Sequence, residues 1–355
     1  MSGSRRRSVT LSDIAASCGV SRATVSLVLR QSPLVNAQTR DRVEAEFKRV
    51  GYVYNRAAAS LRTRRSSSVA LVVNDLSNPF FAEFAAGVDE ALAAAGFVTL
   101  LGSTGESAER QQAVLQSLME HDPAGVILSP AEGSETVRVR QAVGAHAPVV
   151  VFNRELRDSG WDQLSLDNAD GARQAAQHLL QCGHRRIAFF GGHAGSSSCR
   201  QRREGYMQAL QAAGIEIEPQ WLVETAPTRL EAAAQAGALF ARERAPTAAV
   251  CYNDAVALGL MLGLQARGRV PGSDFAVTGF DDIPEAAVSV PPLTTLAADP
   301  RARGRQAAQR ILARVGIRDG AASEDIALDR ASPPAHIIVP VRLIVRASTC
   351  APARP

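Results

Sequence analysis

Two kinds of hydrophobic pattern divide the chain near residue 65. Before this point apolar residues recur every three or four positions over short stretches, which predicts amphipathic helices. After it, short continuous apolar runs such as VALVV (69–73) and VVVF (149–152) alternate with longer helical stretches. Continuous runs of this length are typical of buried parallel strands. The pattern therefore predicts a small helical head followed by a larger body of alternating strands and helices.

The head contains three predicted helices. Thr10 is placed to cap the first, and Gly19 ends it as a left-handed glycine would. Ser21 caps the second helix, and the third runs from Asn36 to about Val50. Two short helices joined by a tight turn and braced by a third predict a helix-turn-helix, whose second helix enters the major groove of DNA. A small helical bundle without a DNA role is the alternative.

The body alternates between the two element types along its whole length. Its predicted strands are 69–73, 98–101, 125–128, 149–152, 187–190, 249–252, 275–279 and 293–296. Its predicted helices are 80–95, 107–120, 134–145, 169–181, 201–213, 229–242, 254–267 and 301–315. This repetition predicts an α/β fold of two lobes, each an open parallel sheet with helices on both faces.

Charge is distributed unevenly between head and body. Residues 1–65 contain 13 Arg and Lys but 4 Asp and Glu, whereas the remainder contains 26 and 31. A compact basic head on a mildly acidic body indicates a polyanionic partner for the head. Met1 to Thr10 is polar and basic, and no apolar stretch of about 18 residues follows it. We therefore expect a cytoplasmic protein, associated with the nucleoid, that makes no contact with a membrane.

Motifs of catalysis are absent from the sequence. There is no nucleophile elbow, GxxxxGK[ST] phosphate loop or HExxH zinc site, and the six histidines are dispersed. The five cysteines form no CxxC pair and none stands at metal-ligand spacing with histidine. We therefore expect no enzymatic activity, no catalytic residue, no metal and no cofactor.

Two segments carry a specific resemblance. VTLSDIAASCGVSRATVSLVL (9–29) resembles the head of the LacI/GalR family of regulators, and TRDRVEAEFKRVGYVYNRAAASLRTRRS (39–66) resembles its third helix and hinge. The resemblance extends to about Thr349 and implies a transcriptional repressor whose body is like that of periplasmic sugar-binding proteins. It implies a DNA-binding domain at 1–54, a hinge helix and linker at 55–67, a two-lobed effector-binding and dimerisation domain at 68–350 with lobe crossovers near 166, 297 and 325, and a tail at 351–355. It also implies that the helix over 301–315 returns to the first lobe and that a last strand, over 337–345, joins the second.

The same resemblance implies which residues contact DNA. Arg22 and Ala23 match base-reading positions, where arginine pairs with guanine and alanine offers a methyl contact. Leu27 stands where some members carry a base-reading arginine. Leu61 matches the apolar wedge in the minor groove, although an ordinary helix-core leucine is the alternative. The full set is Thr10, Leu11, Ser21, Arg22, Ala23, Thr24, Ser26, Asn55, Arg56, Ala58 and Leu61.

Polar residues follow the predicted strands, where ligands bind in open α/β sheets. Carboxylate, amide and guanidinium groups each bind neighbouring hydroxyls, and Phe80 can pack on a sugar face, so we expect a polyhydroxyl effector between the lobes. Asn253 and Asp254 could instead cap the helix that follows them, and we expect Asp282 to be structural. By resemblance the effector-contacting residues are Asn74, Phe80, Asn153, Arg202, Asn253 and Asp281, and Ser198, which lies close to Arg202, completes the set.

The partners expected from these observations are a near-palindromic operator, a small effector and a second copy of the chain. The family dimerises side by side along both lobes, and VPPLTTL (290–296) matches its familiar stretch near a lobe crossover. A purine- or nucleoside-responsive regulator of the same architecture is one alternative. A solute-binding receptor without a DNA role is another, and the basic head argues against it.

Overall fold

The computed structural model describes residues 9–29, 32–52, 66–241, 243–316 and 332–349. The chain separates into two compact units, Met1–Arg64 and Arg65–Pro355. Most of the predicted hinge, including Asn55, Arg56, Ala58 and Leu61, lies outside the described residues, as does the tail at 351–355. None of the helices within the described ranges is both long and apolar enough to cross a membrane.

The first unit consists of α1 (Leu11–Ser17), α2 (Arg22–Leu29) and α3 (Ala37–Val50). The predicted caps are confirmed: Thr10 forms a capping box with Asp13, Ser21 Oγ accepts from the Thr24 N–H at 3.0 Å, and Asn36 Oδ1 accepts from the Thr39 N–H at 2.8 Å. Gly19 turns the chain between α1 and α2 with a φ of +61°. The three helices share one core, made by Ile14, Ala15, Cys18, Val25, Val28, Val35 and Val43.

The first lobe of the body is built on a six-stranded parallel sheet in the order β11-β5-β4-β3-β1-β2. Four of its strands lie where continuous apolar runs predicted them. Its elements are β1 (Ser68–Val73), α4 (Pro79–Ala94), β2 (Val98–Ser103), α5 (Ala108–Met119), β3 (Val126–Leu128), α6 (Thr136–Val143), β4 (Val149–Phe152), β5 (Asp162–Leu166) and, from near the end of the chain, β11 (His336–Val339).

The second lobe contains a four-stranded parallel sheet in the order β7-β6-β8-β9. Its elements are α7 (Asn168–Gln181), β6 (Ile187–Phe190), α8 (Ser197–Ala212), β7 (Leu222–Val223), α9 (Arg229–Gln235), β8 (Ala248–Cys251), α10 (Asp254–Gln265), β9 (Ala276–Thr278) and α11 (Pro284–Val288). The helix predicted over 229–242 ends as an α-helix at Gln235 and continues as a 3-10 turn over Ala236–Phe240. The predicted α/β architecture of two parallel sheets is confirmed.

The chain crosses between the lobes three times. The first crossing follows β5, and the second follows β10 (Thr295–Ala297), after which α12 (Pro300–Val315) returns to pack on α4. The last strand was predicted over 337–345 in the second lobe, and this prediction is wrong. β11 pairs with β5 in the first lobe, and only β12 (Arg342–Ile344) pairs with β10.

The third crossing therefore falls at 340–341 and not near residue 325, which lies outside the described residues. The physical reason is Pro340, which has no N–H to continue a strand ladder and so divides HIIVPVRLI into two strands.

An ion cluster holds α12 to the start of β5 in the first sheet. Arg314 donates through Nε and Nη2 to Asp162 at 2.7 and 2.8 Å, and the Ala335 N–H donates to the same carboxylate at 2.8 Å. Burial alone would raise the pKa of Asp162, but these donors lower it below its ordinary value. The cluster explains how a polar residue begins the buried strand β5.

Close helix contact through glycine secures the return of α12 to the first lobe. A Cβ on Gly304 would lie 2.1 Å from the Phe84 carbonyl oxygen, and a Cβ on Gly87 would lie 2.0 Å from the Arg301 carbonyl oxygen. Both obstacles are backbone atoms, which cannot rotate away as a side chain can. The two helices therefore approach as closely as they do because neither residue has a side chain.

Gly304→Ala should destabilise the body. Alanine favours an isolated helix by about 1 kcal/mol over glycine, but the contact with Phe84 forces the helices apart, and we expect a net loss of about 1–3 kcal/mol. Urea unfolding followed by circular dichroism measures the change. Gln309→Ala, on the exposed face of the same helix, is the control and should change the free energy of unfolding by less than about 0.5 kcal/mol. Equal stability of G304A and the wild type would contradict the contact.

Candidate functional site

The exposed start of α2 presents the predicted base-reading residues. Arg22 and Ala23 are exposed, while Val25 and Val28, on the opposite face, are buried in the head core. Ser21 caps the helix and its Oγ lies 2.9 Å from Thr24 Oγ1, so these two hydroxyls are partly engaged within the head. The arrangement leaves one guanidinium and one methyl group facing outward at the helix N-terminus.

Other predicted DNA-contacting residues have structural partners in the head. Thr10 donates from its backbone N–H and its hydroxyl to Asp13 Oδ2, at 2.8 and 2.7 Å. Leu11 and Leu27 are half-buried and pack against the head core. Leu27 thus fills space between the helices at the position where the resemblance implied a polar base reader. Ser26 is also half-buried.

A cavity of about 260 Å³ lies between the two lobes of the body, beyond the carboxyl ends of their strands. Five of the seven predicted effector residues line it: Phe80, Asn153, Arg202, Asn253 and Asp281. The complete lining is Asp75, Asn78, Phe80, Phe81, Gly105, Glu106, Glu132, Asn153, Arg154, His193, Ser196, Arg202, Ala226, Pro227, Thr228, Tyr252, Asn253 and Asp281.

Asn74 and Ser198 do not line this cavity. The Asn74 amide is fully buried, where it donates to the Pro130 carbonyl at 2.9 Å and to Glu106 Oε2 at 3.2 Å and accepts from the Ser129 hydroxyl. Ser198 Oγ lies 2.9 Å from the Tyr252 hydroxyl and 3.0 Å from Ser196 Oγ. Both side chains therefore support residues of the cavity wall and do not face its interior.

Arg202 and Asp281 form the floor of the cavity on the second lobe. Arg202 Nε donates to Asn168 Oδ1 at 2.8 Å and Nη1 donates to the Tyr252 carbonyl at 2.6 Å, while its guanidinium lies 3.6 Å from the Phe280 ring centroid. Its Nη2 is 3.7 Å from Asp281 Oδ1, which is too long for a hydrogen bond. Burial raises the pKa of Asp281, and the neighbouring arginine opposes that rise.

The wall on the first lobe carries a bidentate ion pair. Arg154 donates through Nη1 and Nη2 to the two carboxylate oxygens of Glu106, at 2.5 and 2.9 Å, and through Nη1 to the Pro130 carbonyl at 3.2 Å. Neither Arg154 nor Glu106 was among the effector-contacting residues expected from the sequence.

Three cavity residues other than glycine have positive φ angles: Glu106 at +64°, Asn153 at +69° and Asp281 at +125°. Such conformations cost free energy and concentrate at functional sites. The Asn153 side chain has no hydrogen-bond partner among the described residues, although the residue is only 7 % exposed. Its amide therefore borders the cavity, where water or a ligand can reach it.

Asn253, Asp254 and Asp282, for which structural roles were considered from the sequence, have different surroundings. Asn253 caps α10 by accepting from the Val256 N–H at 2.9 Å, and it also lines the cavity. Asp254 lies beneath the cavity, where burial raises its pKa to about 6 although the Thr295 hydroxyl (2.5 Å) and the Ile283 N–H (2.9 Å) donate to it. Asp282 pairs with Arg346 at 2.7 Å, which fits the structural role predicted for it.

The residues that sequence reasoning missed follow strands that it had predicted. Glu106 follows β2, Glu132 follows β3, His193 follows β6 and Tyr252 follows β8. The rule that ligands bind beyond the carboxyl ends of strands would have found Glu106, Glu132 and His193 if it had been applied to every strand, whereas Tyr252 lay inside the strand predicted over 249–252. Among the described residues no group of histidine, cysteine and acidic side chains could hold a metal ion.

Two family models match the chain and together cover most of it. Residues 10–55 match the bacterial regulatory proteins of the lacI family. Residues 66–346 match the periplasmic binding proteins and sugar binding domain of the LacI family.

Similar proteins of known function are transcriptional regulators. The maltose regulon regulatory protein MalI of Escherichia coli (strain K12) is 33 % identical over 302 residues, which are 80 % of this chain and 88 % of MalI. The HTH-type transcriptional repressor PurR of Vibrio atlanticus (strain LGP32) is 30 % identical over 311 residues, which are 87 % of this chain and 93 % of PurR.

Solved structures show the same likeness. The lac repressor dimer bound to operator and the anti-inducer ONPF is similar with a TM-score of 0.82 and 26 % identity, covering 97 % of this chain and 100 % of that one. The complex of the transcriptional regulator CelR with cellobiose is similar with a TM-score of 0.70 and 29 % identity, covering 96 % and 99 %. With a helix-turn-helix head, a two-lobed body and a family match over residues 66–346, the chain belongs to the LacI family of DNA-binding transcriptional regulators.

Proposed function

We propose that this protein is a cytoplasmic repressor that binds a near-palindromic operator as a homodimer and is controlled by a sugar or sugar derivative bound in the cavity between its lobes. The observation that carries the proposal is the unpartnered amide of Asn153, which faces a cavity whose floor is the incompletely joined pair of Arg202 and Asp281. These groups border the cavity without completing hydrogen bonds to one another, so a ligand that hydrogen-bonds to them gains free energy, most of all from the two charged groups.

The gap between Arg202 and Asp281 suits a hydroxyl group. A hydroxyl accepts from a guanidinium N–H and donates to a carboxylate, so one ligand oxygen can complete both groups across their 3.7 Å separation. Asn153 supplies a second contact from the opposite lobe, because an amide both donates and accepts. Polar groups of this kind on both lobes favour a ligand with several hydroxyls.

The size and walls of the cavity also fit a small sugar. Its volume of about 260 Å³ lies just below the range for small-molecule sites, about 300–1,000 Å³, which favours a small ligand. Phe80, Phe81 and Tyr252 form an aromatic wall against which the apolar face of a sugar ring can pack. The cellobiose bound by the similar regulator CelR supports this class of ligand, whereas the similarity to PurR keeps a purine as the alternative.

For DNA binding we assign residues 1–54 to the head and 55–67 to a hinge. Arg22 and Ala23 read base edges in the major groove, and Leu61 enters the minor groove between its basic neighbours. Hydroxyl groups of the head, including those of Ser21, Thr24 and Ser26, contact phosphates and fix the register. The similar lac repressor dimer is bound to operator in its crystal structure, which supports DNA binding by this chain.

The homodimer is supported by apolar side chains on the surface of the second lobe. Leu230, Val288 and Val290 are 83 %, 78 % and 80 % exposed. Contacts join the segments that carry them, since Arg229 pairs with Glu285 at 3.0 Å and the Val290 carbonyl accepts from Gln265 Nε2 at 3.2 Å. Exposed apolar patches mark protein interfaces, and a two-fold dimer presents two heads to a palindrome.

Arg22→Ala should weaken operator binding by about 1–3 kcal/mol while changing binding to scrambled DNA by no more than the loss of one charge does. Fluorescence anisotropy on the DNA upstream of the protein's own coding sequence, at fixed salt, measures both affinities, and footprinting of the wild type should show two half-sites. Lys48→Ala removes the same charge from the exposed face of α3 and is the control. Equal losses on both DNAs would show that Arg22 contacts phosphates only.

Asp281→Asn should abolish the response to effector and leave operator affinity unchanged, because it removes the carboxylate from the cavity floor without altering the head. The assay is release or strengthening of the operator complex during titration with a panel of sugars, purines and nucleosides. Asp274→Asn, at an exposed position of the same lobe, is the control. A full sugar response from D281N would contradict the site, and a response to purines alone would replace the sugar by the alternative effector.

Substitutions of Asn153 and Asn74 should have different effects, the first on effector binding and the second on the stability of the fold. Asn153→Gly keeps the positive φ accessible and should weaken effector binding at least tenfold, or about 1.4 kcal/mol, with little change in urea unfolding. Asn74→Ala leaves the partners of a buried amide unsatisfied and should lower the free energy of unfolding by about 1–3 kcal/mol. Calorimetry and urea unfolding of both variants measure the two effects, and the opposite assignment would appear as the reverse pattern.

A further inference from the structure

We propose that the cavity between the lobes selects uncharged polyhydroxy ligands and rejects their phosphorylated and carboxylated forms. This inference rests on the proposed function, and it concerns the charge of the ligand, which the function leaves open. Two observations support it: the balance of charged side chains that line the cavity, and the hydrogen bonds that those side chains already make within the protein.

Carboxylates outnumber arginines in the lining. Asp75, Glu106, Glu132 and Asp281 face a cavity to which Arg154 and Arg202 contribute the guanidinium groups. If Asp281 is counted as protonated, because its burial raises its pKa, three carboxylates still oppose two guanidinium groups. An anionic ligand therefore enters a field of its own sign, in a site where water screens that field less than in bulk solvent.

Neither arginine offers its donor fork to a ligand. Both terminal nitrogens of Arg154 donate to Glu106, in the same bidentate geometry by which arginine binds phosphate. Arg202 donates through Nε to Asn168 and through Nη1 to Tyr252, which leaves Nη2 facing Asp281. A phosphate would have to displace these partners, whereas a single hydroxyl needs only the N–H that remains at Nη2.

Two carboxylates in the lining, those of Asp75 and Glu132, form no ion pair with any described residue. Asp75 Oδ1 accepts from the N–H and hydroxyl of Ser77, at 2.8 and 2.7 Å. Glu132 extends from the first lobe to the second, where a Cβ on Gly195 would lie 2.1 Å from its Oε1. Glu132 therefore places a negative charge where the two lobes approach each other, and that charge acts on any ligand between them.

The other groups at the cavity do not reverse this balance. His193 is exposed and offers a single imidazole. Helix N-termini favour anions in general, but Asn78 accepts from the Phe80 N–H at 3.1 Å and Asn253 from the Val256 N–H at 2.9 Å. Ser196, at the start of α8, makes no such side-chain bond, but a helix end carries only about half a positive charge, which is less than the excess of carboxylates. The cavity thus offers hydrogen-bond acceptors and isolated N–H donors, which can pair with the hydroxyl groups of a neutral polyol.

Paired ligands test the inference with the full-length protein. Isothermal titration compares glucose with glucose 6-phosphate, ribose with ribose 5-phosphate, fructose with fructose 6-phosphate, and galactose with galacturonate. Where the neutral member binds, its charged partner should bind about tenfold more weakly or worse. Glu132→Gln and Asp75→Asn, singly and together, should reduce the difference in affinity between the neutral and the charged ligand of each pair. Each isosteric change removes a negative charge without enlarging the cavity. Glu135→Gln, on an exposed glutamate of the loop that carries Glu132, should leave the difference unchanged.

Each outcome is decisive. Equal or tighter binding of a phosphorylated sugar by the wild type would overturn the inference. An affinity difference as large in the double variant as in the wild type would also overturn it, since the difference would then reflect the size of the ligand. Binding of purines in place of every sugar would overturn the sugar assignment of the proposed function, and this inference would fail with it. Operator affinity, measured separately, tells the failure of this inference from failure of the regulator itself.

Discussion

The guanidinium of Arg202 and the carboxylate of Asp281 face each other across 3.7 Å at the point where the two lobes are joined. Each is tied to a crossing of the chain. Arg202 donates to Asn168, the first residue of the helix after the first crossing, and the Asp281 N–H donates to the carbonyl of Leu296 in the second crossing strand. A ligand that bridges the pair therefore acts on two of the connections that set the angle between the lobes.

The third crossing is tied to the same place. Arg346 follows the last strand, donates to the Leu293 carbonyl at 2.8 Å and pairs with Asp282, whose φ of +55° follows the +125° of Asp281. Two successive residues in strained conformations persist because ion pairs and strand contacts hold them. The floor of the cavity is thus linked to the first two crossings by direct hydrogen bonds and to the third through Asp282, the neighbour of Asp281. A ligand controls such a two-lobed protein only if it binds one arrangement of the lobes better than another.

Sequence reasoning succeeded where burial alone decides structure and failed where distant polar partners decide it. The runs VVVF and IAFF are strands at the residues predicted, because continuous apolar segments have no other stable place. The strand DQLSL was missed because its Asp162 is buried by Arg314, 152 positions away. The same holds within the site: Asn74 follows a strand as Asn153 does, but Ser129, 55 positions away, fixes its amide outside the cavity. A strand end places a side chain near the site, and its neighbours in space decide which way it points.

The two units of the chain carry charge of opposite sign where each is expected to bind its partner. Residues 1–65 carry 13 basic and 4 acidic side chains, so the head attracts the DNA backbone with an affinity that falls steeply as salt rises. The cavity in the body is lined by more carboxylates than arginines, so it repels the anions that the head attracts. Because a neutral ligand releases few counterions, its affinity for the cavity depends little on ionic strength. The two equilibria of the regulator are therefore separable by salt, and each is governed by the charge of its own unit.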